Sequence, residues 1–115
     1  MKKIFVFSVL AATALTLTYC SSSKKTAAAP KTTYETGVAT VIMDNCAPCH
    51  ITSKGGRKKP YDNFVNLKTD IDDILARVQM APTDRGFMPL RATTRISDSA
   101  IAVLKKWKAD GLLEK

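Results

Sequence analysis

In Cys46-Ala47-Pro48-Cys49-His50, two thiols stand three positions apart and an imidazole sits beside the second. That is the arrangement that fixes a haem covalently. Each cysteine adds across one vinyl group of the porphyrin, the turn between them brings both sulfurs to one edge of the ring, and His50 reaches the iron through Nε2. Three other chemistries fit parts of the same motif. Cys46 and Cys49 alone form a possible thiol-disulfide pair. The two thiols, His50 and a methionine suit copper or zinc. A haem held only by His50 would be a five-coordinate sensor or peroxidase-like centre.

Further along stand Phe87-Met88-Pro89 and the segment Arg95-Ile96-Ser97-Asp98-Ser99-Ala100-Ile101, continuing through Trp107 to Gly111. With the cysteine motif, and in this order, they resemble the single-haem c-type cytochromes of the small, all-helical class. The resemblance runs from about Thr33 to Gly111. It implies an all-α fold of three to four helices wrapped around one covalently attached haem c. It also implies an electron carrier rather than a catalyst, with histidine and methionine on the iron. Pro89 biases Met88 toward an extended conformation, and the resemblance makes Met88 the sixth ligand, with Met80 as competitor. His50 is the only histidine, so two histidine ligands from one chain are excluded. Phe87 and Tyr61 are counted among the cofactor contacts, and the Pro60 carbonyl is expected to receive the His50 Nδ1 proton. In the family a glycine and an aromatic residue precede the first cysteine at fixed distances. Here Gly37 lies one position off that register and Ile42 takes the aromatic place, so a looser helix crossing is expected.

Upstream, Lys2-Lys3 and the apolar run Ile4 to Leu17 have the charged start and short hydrophobic stretch of an export signal. The run is short for a membrane span. Leu17-Thr18-Tyr19-Cys20 resembles a bacterial lipoprotein cleavage site, which implies lipidation of Cys20, although Tyr19 replaces the small residue usual before the cysteine. An uncleaved anchor and an ordinary signal cut nearby are the alternatives. The expected organisation is an export signal over 1–19, a flexible tether over 20–32 and a haem domain over 33–115. The implied location is periplasmic, at a membrane through the lipid. The tether has no apolar periodicity.

Around the motif, Thr32-x-x-Glu35 has the form of a capping box opening a helix that runs into the cysteine turn. Leu67, Ile71, Ile74, Leu75 and Val78 mark a middle helix, with Thr69 or Asp70 as its cap and Asp72 and Asp73 in its first turn. Ser97 and Asp98 cap a last helix bearing Ala100, Val103, Leu104 and Trp107 on one face, with Gly111 at its end. No stretch shows sustained period-two alternation, so no sheet is expected.

With 115 residues and 7% aromatics, the chain buries little by itself. A covalently held macrocycle would supply both core and cross-link. The net charge of +8 suits redox partners with acidic docking surfaces, an anionic surface, or simple solubility. The basic run Lys54, Arg57, Lys58 and Lys59 has no interleaved aromatics, which argues against nucleic acid.

Overall fold

The computed structural model describes residues 28–115. The expected export signal, the lipidation site at Cys20 and the tether as far as residue 27 lie outside the described residues. Within them the fold is all-helical: α1 (Ala39–Asn45), α2 (Phe64–Val78) and α3 (Asp98–Ala109), with a wide π turn over Tyr34–Val38 and a 3-10 turn over Thr52–Lys54. The one β feature among the described residues is an isolated parallel bridge between Thr33 and Leu113.

The first helix opens one residue later than expected. Thr33 Oγ1 accepts from the Thr36 N–H at 3.2 Å, and the Thr33 N–H donates to Thr36 Oγ1 at 3.3 Å. The box is therefore Thr33 with Thr36, not Thr32 with Glu35, because the Thr32 N–H is engaged by Asp110 Oδ2 at 2.6 Å. A helix start leaves N–H groups without partners in the helix. Here the carboxy-terminal tail supplies two acceptors: Tyr34 N–H donates to the Leu113 carbonyl at 2.9 Å and Glu35 N–H to Glu114 at 3.1 Å.

The π turn spaces its bonds five residues apart, Val38 to Thr33 and Ala39 to Tyr34. Such a turn holds one residue more than an α turn. Gly37 faces α3, where a Cβ would meet Val103 Cγ1 at 3.7 Å, an ordinary contact.

The middle helix begins earlier than the sequence suggests. Asn63 caps α2, accepting from the Asn66 N–H at 3.0 Å. Thr69 and Asp70 are therefore interior residues. Thr69 bonds back to the Val65 carbonyl, and Asp72 and Asp73 pair with Lys108 and Arg77 instead of serving a helix start. The predicted apolar face, Leu67, Ile71, Ile74, Leu75 and Val78, is buried as a set.

In α3 the cap is Ser97, whose hydroxyl accepts from the Ala100 N–H at 3.2 Å. Ala100, Ile101, Leu104 and Trp107 are buried, with Ile101 turned inward where Val103 was expected. Gly111 follows the helix at φ 101°, a left-handed value that glycine adopts without a Cβ penalty. Trp107 is completely buried in one cluster with Val38 and Ile42, and its Nε1 donates to the Leu113 carbonyl at 2.7 Å.

Candidate functional site

The end of α1 delivers the cysteine motif. Cys46 is the C-cap of α1, its N–H bonded to the Ile42 carbonyl at 2.9 Å, and the His50 N–H closes the next turn on the Cys46 carbonyl at 3.1 Å. This turn forms one wall of a cleft of about 440 Å³, a size within the range of small-molecule and cofactor sites. Cys46, Cys49 and His50 line it together with apolar side chains of α1, α2 and α3, among them Ile42, Ile74, Val78 and Leu104. Met88, Pro89 and Leu90 also line it, whereas Met80 does not. Thus Met88, not its competitor, shares a cavity with the motif.

His50 is held on two sides. Its Nδ1 lies 2.8 Å from the Lys59 carbonyl. A carbonyl only accepts, so the proton sits on Nδ1 and the lone pair of the neutral ring on Nε2. The acceptor is Lys59 and not Pro60. The Pro60 carbonyl is one residue too far along and accepts from Asn66 Nδ2 at 3.1 Å. Tyr61 stacks on the imidazole with centroids 4.4 Å apart and planes 8° from parallel. Its hydroxyl donates to Asp70 at 3.2 Å, and Lys59 Nζ reaches the same carboxylate at 2.8 Å. Tyr61 therefore lines the cleft as expected, but its hydroxyl is engaged by α2. Burial, followed by the Asp70 charge, pushes the Tyr61 phenol up to about 12. The hydrogen bond from Lys59 holds the Asp70 carboxyl below its ordinary value.

Phe87 departs from its expected role. It is buried at 4% exposure but is not among the residues lining the cleft. Phe64 also packs elsewhere, edge-on to Trp107 at 6.2 Å and to Tyr34 at 5.8 Å.

The loop after His50 folds against the motif's own backbone. Gly56 donates to the Ile51 carbonyl at 3.0 Å and Lys58 to the Cys49 carbonyl at 3.1 Å. A Cβ at Gly56 would stand within 3.0 Å of the carbonyl oxygens of Pro48, Cys49 and Ile51. Only a residue without a side chain fits there. Among the described residues, Lys54, Arg57 and Lys58 form no ion pair, and Lys58 reaches the cleft.

The thiols differ in setting. Cys46 is half-buried and Cys49 exposed. Burial pushes the Cys46 thiol up to about 11. Its place at a helix carboxy terminus also disfavours negative charge. A reactive redox thiol needs the opposite, a depressed value near a positive group. Among the described residues, no three histidine, cysteine or acidic side chains converge as a metal-binding group.

Arg77 is the site residue that sequence reasoning did not single out, and Lys59 was named only as part of the basic run, not for its carbonyl. The spacing of Asp73 and Arg77, one helical turn apart, was available as a signal; the contacts they make outside α2 were not. No protein-family model matches the chain, and neither a curated protein nor a solved structure is similar to it.

Proposed function

We propose that this chain is a small electron-transfer protein of the c-type cytochrome kind, its helices wrapped around one covalently attached haem c. The observation that carries this reading is the meeting of Cys46, Cys49, His50 and Met88 around one largely apolar cleft, although Met88 comes from a distant segment. When bound, the haem would supply a one-electron couple, with His50 and Met88 as the residues that would hold its iron. Cys46 and Cys49 are the thioether positions, at one edge of the cleft. His50 offers Nε2, oriented through the Lys59 carbonyl, which raises the donor strength of the imidazole. Met88 would offer a soft thioether sulfur from the same cleft, whose lining is largely apolar; both would favour the reduced state.

The proposal includes export to the periplasm and a lipid anchor at Cys20. It includes redox partners with acidic docking surfaces, for which the unpaired cations beside the motif are suited. Catalysis has no place in it.

The test is production in a host with haem-attachment machinery. Mass spectrometry should find the mature chain carrying one macrocycle, and the Soret band should survive acid-acetone extraction. A mass equal to the bare chain plus lipid overturns the proposal. In the ferric protein a far-red sulfur-to-iron band should be present, retained in Met80→Leu and lost in Met88→Leu. The reverse pattern would move the sixth ligand to Met80.

A further inference from the structure

Between α2 and α3 the chain has no regular helix, yet a ligand at Met88 needs a fixed position on the cleft wall. The hydrogen bonds inside this segment are local. Ala81 N–H donates to Asp84 Oδ2 at 3.0 Å, Asp84 N–H to the Ala81 carbonyl at 2.9 Å, Phe87 N–H to the Asp84 carbonyl at 3.2 Å, and Ala92 N–H to the Pro89 carbonyl at 3.1 Å. None of these ties the segment to the rest of the protein.

Among the described residues, the bonds that tie Gly86 and Met88 back to α2 both end on Arg77. Its carbonyl accepts from the Met88 N–H at 3.3 Å, and its Nη1 donates to the Gly86 carbonyl at 3.3 Å. One residue thus holds two points of the chain that lead into the methionine side chain, the Gly86 carbonyl and the Met88 N–H. The guanidinium is itself aimed, because Nε donates to Asp73 Oδ2 at 2.6 Å. Gly86 makes the turn at φ 102°, and a Cβ there would stand 3.4 Å from Nη1. Arg77 and Asp73 line the same cleft as Met88.

We propose that Arg77, aimed by Asp73, is the positioning residue that fixes Met88 on the cleft wall and sets how readily the sixth ligand position opens. This rests on Met88 being the sixth ligand. The guanidinium does two jobs with one rigid fork: Nε serves Asp73 and Nη1 serves Gly86. An amide or an ammonium at this position cannot reproduce both. The carbonyl bond to Met88 remains whatever the side chain, so its loss is not what a substitution measures.

The experiment compares haem-loaded wild type, Arg77→Gln and Asp73→Asn. Three readouts are taken: the far-red band of the ferric protein, imidazole affinity by titration, and hydrogen exchange at the Met88 amide. Arg77→Gln should weaken the far-red band and bind imidazole about tenfold more tightly, the equivalent of one lost charge-assisted hydrogen bond. Exchange at Met88 should quicken. Asp73→Asn should move all three in the same direction by less. The Arg77 side chain is 39% exposed and that of Asp73 60%, so neither change opens the core; if Arg77→Gln does not fold, Asp73→Asn decides the matter. Wild-type values for all three readouts in both variants overturn the positioning role alone. A wild-type spectrum without the far-red band overturns Met88 ligation, and the proposal with it.

Discussion

At Gly56 the absence of one carbon atom decides whether the cysteine turn can form. Three carbonyl oxygens of that turn stand where a Cβ would be, and all belong to backbone that the motif's own hydrogen bonds fix. Gly56→Ala should therefore destabilise the chain by about 1–3 kcal/mol, the usual cost of forcing an atom into a packed site. Gly55→Ala acts differently. A Cβ there meets nothing, and only its φ of 78° is at stake. Denaturant unfolding of the two variants, side by side, separates steric from conformational cost. A Gly56→Ala chain as stable as wild type would mean that the loop does not pack on the motif. The close neighbour of Gly56 is the backbone of the cysteine turn and of Ile51. Loop path decides the His50 acceptor. Whether the carbonyl of Lys59 or of Pro60 meets Nδ1 depends on one residue of loop path, which spacing alone does not specify.

The helices were recognisable from periodicity because each must bury one face, and α2 buries the five residues its pattern named. Their ends were less so. Capping competes with tertiary bonds: Thr32 lost its cap role to Asp110, and α2 started at Asn63 rather than near Asp70. Asp110 joins the start of the first helix to the end of the last, accepting from the Thr32 N–H and from Lys106. The Lys106 bond, then the Thr32 bond, holds its carboxyl below the ordinary value. A depressed folded value means that the stabilisation is present above the unfolded value of about 3.9 and is lost as pH falls through the folded one. Asp110→Asn should therefore be less stable than wild type at neutral pH, with the gap closing below about pH 4. Thermal melts from pH 7 to pH 2.5 check this; a gap independent of pH would reassign the loss to packing.

Across the whole molecule, Trp107 is where the parts meet. It is fully buried, tilted against Tyr34 and edge-on to Phe64, and bonded to the tail carbonyl that also receives the Tyr34 N–H. Trp107→Ala should cost about 3–5 kcal/mol. That is most of the stability expected of a small domain, so the variant should be largely unfolded by circular dichroism at room temperature. A cooperative melt near that of wild type would deny Trp107 this role. The sequence by itself determined the helical class, the buried face of α2, the Ser97 cap and the glycine at 111 that ends α3. These depend on neighbours within a turn or two, where residue type and spacing suffice. Only the tertiary structure decided that Met88 rather than Met80 shares the cleft, that Phe87 is not in its lining, and that Arg77 is the point where the methionine segment is tied. Such choices are set by which distant surfaces touch, and a one-dimensional pattern does not contain that information.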